Sequence, residues 1–182
     1  MSRDSLVALV DARLPGRGLV SLGIEADVEV IAVPARSLLD VARFLTRDAD
    51  AAYDLLDLTA VDRFEFLDRN AGTPRFVLLV ALVSRTHQSR ARLEVEIDDD
   101  AGAFPSLTSV WPSAFLYELE VLDLFGLTPE GHPQPHRLLL PDGFVGHPLR
   151  LDYRVGKHQP QVPPPSSTPE RVDAPAVVGD RP

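Results

Sequence analysis

Cysteine is absent from the 182 residues. That absence excludes disulfides, thiolate zinc sites, iron–sulfur ligation by cysteine and cysteine nucleophiles together. Any redox role has to be exercised through other chains. Positive charge is scarce too, with 18 Lys and Arg against 27 Asp and Glu, a formal charge of −9. Holding a phosphate backbone takes many cationic contacts, so this balance argues against nucleic acid as a partner. Long apolar runs are missing: the longest covers residues 76–83, far short of the roughly 20 that a membrane-spanning helix needs. Met-Ser-Arg-Asp opens the chain and no uninterrupted apolar stretch leads up to Asp11. This argues against a secretory signal and for a chain that is cytoplasmic or docks on something that is. There is no Gly-x-Ser-x-Gly elbow and no phosphate-binding Gly-x-x-x-x-Gly-Lys-Ser/Thr loop, and Gly16-Arg17-Gly18 precedes a strand pattern instead of a helix, as a turn does.

What is present suffices for a core: hydrophobic residues are 45% and charged residues 25% of the chain, as in globular proteins. Residues 2–14 carry Leu6, Leu9, Val10 and Leu14 at helical spacing, and Pro15-Gly16 stops the pattern. Residues 19–25 and 27–33 read as two strands around a tight turn at Ala26. Pro34 then opens a second helix with Leu38, Val41, Ala42 and Leu45 as its buried stripe. Three more strands follow over 54–66, 75–85 and 91–97. The middle one is apolar on both faces, as expected of a strand covered on both sides. In the last, Leu93, Val95 and Ile97 point inward and Arg92, Glu94 and Glu96 outward. Residues 70–74 and 87–89 have turn composition, and Asp98-Asp99-Asp100 reads as a solvated loop. The order helix, two strands, helix, three strands predicts an α+β two-layer sandwich, completed by a helix over 112–123.

Regular signal is nearly absent after Gly126. The chain divides into an α+β domain at 1–126, an extended arm at 127–157 and a Pro-rich tail at 158–182. The tail holds seven of the 17 prolines and no aromatic residue, too little apolar surface to offset the entropy of ordering, which reads as disorder or dependence on a partner. His132 and His136 stand four apart, but Pro133 and Pro135 between them forbid the helix that would align two metal ligands; hydrogen bonding suits them better. On the acidic helix Tyr117, Glu120 and Asp123 share one face, and Phe115, Leu119 and Leu122 another. Carboxylates so spaced repel by a few tenths of a kcal/mol. If buried they need cations, for which Arg137 and Arg150 are the nearby candidates, or a large pKa shift. Three readings stay open for this face: a solvated surface, a charge network shared with a partner, or an acid/base pair formed by Glu120 and Asp123.

The segment Tyr117-Glu118-Leu119-Glu120-Val121-Leu122-Asp123-Leu124-Phe125-Gly126-Leu127 resembles the Glu-Arg-Glu-x-x-Asp-x-Phe-Gly core of the 30 kDa-subunit family of the proton-pumping NADH:quinone oxidoreductase, respiratory complex I. The resemblance continues through Gly131-His132-Pro133 and Arg137-Leu138-Leu139-Leu140-Pro141-Asp142-Gly143-Phe144. It ends in Gly146-His147-Pro148-Leu149-Arg150-Leu151-Asp152-Tyr153, close to that family's Gly-His-Pro-Leu-Arg-Lys-Asp-Tyr. Upstream, residues 56–62 and the hairpin over 76–97 are similar as well, so it spans roughly 28–153. Leu119, His136 and Leu151 depart from the family by standing where basic residues are usual, each removing positive charge near Glu118, Glu120 and Asp123.

The resemblance implies a non-catalytic subunit on the peripheral arm of a membrane complex, at the cytoplasmic face of the cell membrane, touching the membrane only through the complex. It implies no cofactor on this chain. NADH, flavin, iron–sulfur clusters and quinone would sit on partner subunits, chiefly the quinone-site subunit and neighbouring cluster-bearing subunits, with electron transfer coupled to proton translocation. The structural and interface residues it singles out are Glu118, Glu120 and Asp123 as acceptors and Arg137 and Arg150 as their cations. His132 and His147 would anchor turns, with Asp152 in the closing motif. An equivalent scaffold in a complex I-related membrane-bound [NiFe] hydrogenase, and a free-standing enzyme built on Glu120 and Asp123, are the alternative readings.

Overall fold

Apolar periodicity switches between about 3.6 and 2 along the chain, and the elements follow it. The computed structural model describes residues 5–64, 74–97 and 102–154. The expected tail at 158–182, the acidic loop at 98–100 and most of the turn at 70–74 lie outside those residues. Helix α1 (Leu6–Arg13) is capped by Ser5, whose hydroxyl accepts the Val7 N–H. The Glu29 carboxylate, reaching across from a strand, accepts the Leu6 N–H at 3.1 Å. Strands β1 (Val20–Glu25) and β2 (Val28–Ala32) form a hairpin. Its two-residue turn holds Ala26 and Asp27 at φ 47° and 67°, the left-handed geometry that matches the twist of the flanking strands. Helix α2 (Ala35–Arg47) starts after Pro34 and buries Leu38, Val41, Ala42 and Leu45.

Strands β3 (Asp54–Asp62), β4 (Phe76–Ser84) and β5 (Ser89–Ile97) form an antiparallel meander. β5 returns to lie parallel to β2, so the five-stranded sheet runs β1-β2-β5-β4-β3. Helix α3 (Ala114–Phe125) follows. All three helices join one core with the sheet residues Ile31, Leu58, Ala60, Phe76, Leu78, Val80, Leu82, Leu93 and Val95. The α+β two-layer sandwich is therefore the observed fold.

Three expectations change. Among the described residues β4 is covered by helices on one face only; on the other Val77 is buried. Leu79, Ala81 and Val83 stay half-buried on the other, where Arg92 bridges Glu25 and Glu94 at 2.8 and 2.9 Å. Its unbroken apolar run reflects a position one strand in from the edge. Second, β6 (Ala103–Pro105) and β7 (Thr128–Glu130) pair in parallel. Proline in both segments hid them, because a proline donates nothing to a ladder. The chain after 126 thus begins inside the domain, with Leu127 fully buried. Third, α3 runs two residues past Asp123, to a Gly126 with φ 71°.

Candidate functional site

A helix leaves its last four carbonyls without partners, and the way α3 fills this vacancy builds the site. Gly126, left-handed, returns its N–H to Leu122 O at 3.0 Å. The other three are capped by residues that lie more than twenty positions later. His147 Nδ1 donates to Asp123 O at 2.9 Å, the Leu149 N–H to Leu124 O at 3.1 Å, and Arg150 Nε to Phe125 O at 2.5 Å. The Gly-His-Pro-Leu-Arg motif is thus a cap supplied from a distance, and it carries a cation to the negative end of the helix. Gly126 is required twice over, since a Cβ there would sit 2.5 Å from His147 Nε2 and 2.9 Å from Arg150 Nη2.

The Asp123 side chain ties down the preceding stretch. Fully buried on its helix, it accepts Arg137 Nη1 at 2.8 Å on one oxygen. The other oxygen takes the N–H groups of Leu138, Leu139 and Leu140 at 3.1, 2.8 and 2.8 Å. Successive N–H groups converging on one oxygen form an anion-binding nest. Burial pushes this carboxyl up, but the N–H groups of Leu140 and Leu139, then Arg137 and Leu138, outweigh it and hold its pKa below the ordinary range. Four donors, three of them on one oxygen, commit this carboxylate to holding the arm.

A third anchor closes on the sheet. Asp62, at the end of β3, accepts Arg75 Nε and Nη2 at 2.9 and 2.8 Å and the Leu151 N–H at 2.9 Å. Arg75 Nη2 reaches Asp152 Oδ1 at 2.8 Å as well, and its guanidinium lies 4.6 Å from the Phe64 ring centroid and 4.8 Å from that of Phe76. Burial pushes Asp62 up, and Arg75 together with the Leu151 and Phe64 N–H groups more than reverses it, whereas for half-exposed Asp152 the Arg75 hydrogen bond is the leading cause of a lowered pKa. Phe144 and Tyr153 stack across the loop at 6.2 Å.

Glu118 and Glu120 differ from the expected network. Glu118 is fully buried and faces inward, taking Ser106 Oγ at 2.7 Å and the Leu107 N–H; neither Arg137 nor Arg150 reaches it. Burial raises its pKa, and these neutral donors only partly oppose that. Glu120 is half-buried and makes no hydrogen bond or ion pair among the described residues. Arg150 goes to carbonyls and lies 5.1 Å from the Phe76 centroid, so its role is capping a helix end. Expected as cations for Glu118, Glu120 and Asp123, the two arginines divide otherwise: Arg137 pairs with Asp123, while Arg150 caps the end of α3 and its charge helps lower the pKa of Asp152.

His132 holds the loop to the other end of α3. The Gln134 N–H can only donate, so Nδ1 accepts it at 3.2 Å, and Nε2–H donates to Phe115 O at 3.1 Å. Both ring nitrogens are thereby engaged. His136 bonds only the nearby Gln134 O, and among the described residues no three His, Asp or Glu side chains are grouped to hold a metal ion. Residue-by-residue reading passed over Asp62, Arg75, Ser106 and the capping role of Gly126. A signal existed for Asp62, which continues the inward period of Leu58 and Ala60 and so carries a charge into the core face.

Residues 31–159 match the family described as "Respiratory-chain NADH dehydrogenase, 30 Kd subunit". The corresponding NADH-quinone oxidoreductase protein of Roseiflexus sp. (strain RS-1) is 39% identical over 162 residues, which cover 87% of this chain and 89% of that protein. Among solved structures, the trypsin-resistant fragment (1–134) of Nqo5 is similar at a TM-score of 0.53 and 25% identity, over 70% of this chain and 96% of that one. A chain of the membrane-bound sulfane sulfur reductase, an archaeal respiratory membrane complex, shares the fold at a TM-score of 0.59 and 21% identity, over 74% of each chain. No helix of the described residues is long and apolar enough to cross a membrane. With its helix cap, its aspartate nest and most of its sheet inside the matched residues, the chain belongs to the 30 kDa-subunit family of the multisubunit NADH-quinone oxidoreductase.

Proposed function

We propose that this chain is a non-catalytic scaffold on the peripheral arm of its NADH:quinone oxidoreductase, at the cytoplasmic face of the cell membrane. It holds the quinone-site subunit and the neighbouring cluster-bearing subunits in register, so that electrons from NADH pass through flavin and iron–sulfur clusters on those chains to quinone, coupled to proton translocation. The chain itself carries no cofactor; with no cysteine it supplies no thiolate ligand. The domain at 1–126 serves as the base and the arm at 127–157 as the docking element.

One observation carries this reading. The three anchors spend their polar groups on fixing the arm and leave Leu138, Leu139, Val145, Leu149 and Leu151 37–61% exposed. Apolar residues held outward on a rigid loop form a surface that loses little entropy on docking. Glu120 on α3 makes no hydrogen bond or ion pair among the described residues.

The test is to recover the tagged full chain from membranes in gentle detergent, identify the co-purifying chains by mass spectrometry and assay NADH-dependent quinone reduction. Cluster-bearing and membrane subunits with that activity are expected. A nickel-binding large subunit with hydrogen-linked activity would move the chain to a hydrogenase-type assembly, and a lone chain would refute the scaffold. Glu120→Gln should leave the isolated chain's stability within about 0.5 kcal/mol, since it breaks no described contact, while lowering recovery of the complex. Normal assembly in that variant would remove Glu120 from the interface.

A further inference from the structure

The far side of the sheet from these anchors ends in β1, an outermost strand whose six residues are all exposed. Among the described residues no strand pairs with its outer edge, which therefore presents a row of backbone donors and acceptors. Sheet edges are normally blunted by lysine, proline or a covering element. The opposite edge, β3, packs against α3, and Tyr117 OH donates to Leu56 O there at 3.3 Å. β1 contains neither lysine nor proline and displays Val20, Leu22 and Ile24 at 56%, 52% and 76% exposure. A bulge between Ser21 and Gly23 is its only blunting feature. Gly23 has φ +111° and nothing within 4 Å of where a Cβ would sit, so another backbone can approach closely at that point.

Beside this edge, on the helix side of the sheet, a cavity of about 580 Å³ opens between α1 and the hairpin. Leu9 and Ile24 give it an apolar wall. Asp27, Glu29 and Asp50 line it together with the single arginine Arg90; Asp50 is paired with Arg13 at 3.1 Å and Glu29 takes the Ser5 hydroxyl and the Leu6 N–H, which leaves the Asp27 side chain as the carboxylate with no bond among the described residues. We propose that the β1 edge takes up an extended, basic segment of a partner protein as a sixth strand. That segment sends an aliphatic side chain over Ile24, on the cavity side of the sheet, and a Lys or Arg to the cavity rim at Asp27. The charge selects a different chain, because a second copy at −9 would bring more acid to an acidic rim. β1 precedes residue 31, where the family match begins, so this contact is additional to the arm. It rests on the reading of the chain as one component of a larger complex.

The test places a photoreactive benzophenone residue at position 20, 22 or 24 of the full chain, one at a time, and maps crosslinks in the purified complex. Expected are crosslinks to one segment of one partner, advancing in a single direction by one or two residues between successive positions, as the bulge allows, and flanking a Lys or Arg. Ile24→Lys, which sets a cation on the edge, should cut recovery of that partner about tenfold while the isolated chain melts unchanged. Absence of crosslinks in an assembled complex, crosslinks stepping by three or four residues as on a helix, crosslinks to a second copy, or normal recovery of the partner with Ile24→Lys would each overturn the proposal. Failure of the unsubstituted chain to enter any complex would overturn the scaffold reading, and this proposal with it.

Discussion

Asp123→Asn tests the clamp at its most heavily used atom pair. One oxygen faces Arg137 and the other faces three N–H groups. An asparagine must turn its NH₂ toward one of these sets, donor against donor, whichever way it flips. Each charge-assisted bond carries about 1.5–3 kcal/mol, so four would sum to roughly 6–12. The arm can instead peel off and give its N–H groups to water, so the loss is limited to what arm docking contributes. Breaking a buried pair costs about 3–5 kcal/mol, and about 3 kcal/mol is expected, a fall in Tm of roughly 10 °C for a domain of this size. Urea unfolding of the purified chain at neutral pH measures it. The pH dependence gives a second reading. Because the folded pKa of Asp123 lies below its ordinary 3.8, its contribution is complete above that value and is lost as pH falls through the lower folded value. The gap between native chain and variant should therefore hold constant from neutral to about pH 5 and close in stronger acid. A loss under about 1 kcal/mol, or a gap that widens on acidification, would refute the reasoning.

Gly126→Ala should destabilise by about 2–4 kcal/mol, from left-handed strain plus the clash with His147, and should expose the sites after Arg150 and Arg154 to trypsin; unchanged digestion would contradict the distant cap. Arg75→Lys keeps the charge but cannot hold Asp62 through two nitrogens while also reaching Asp152, so a loss of about 2–3 kcal/mol in the same unfolding assay is expected. Glu118→Gln should be neutral or slightly stabilising at neutral pH, because burial makes the Glu118 charge costly and the Ser106 hydroxyl can reverse to accept an amide proton. The folded pKa of Glu118 is raised, so that cost applies above it and vanishes once pH drops below the unfolded value; stability curves of the two chains that ran parallel through this window would sink the assignment.

The sequence by itself determined the order of elements from α1 to β5 and the existence of α3, since burial on one face imposes a period that composition displays directly. Leu93, Val95 and Ile97 alternate with Arg92, Glu94 and Glu96 in the chain and in the sheet alike. It also carried the family's motifs in legible form, and with zero cysteines it closed off thiolate chemistry. Only the tertiary structure decided what those motifs do. A reading by helical spacing grouped Glu120 with Asp123 and supplied both with arginines. In the fold Asp123 lies beneath the arm, Glu118 is turned into the core and Glu120 has no partner among the described residues, because burial on α3 depends on what packs around it. The capping of Asp123, Leu124 and Phe125 carbonyls by His147, Leu149 and Arg150 joins positions more than twenty residues apart. A helix end signals locally that its carbonyls need partners, but which distant donors supply them is settled by the path of the chain in space.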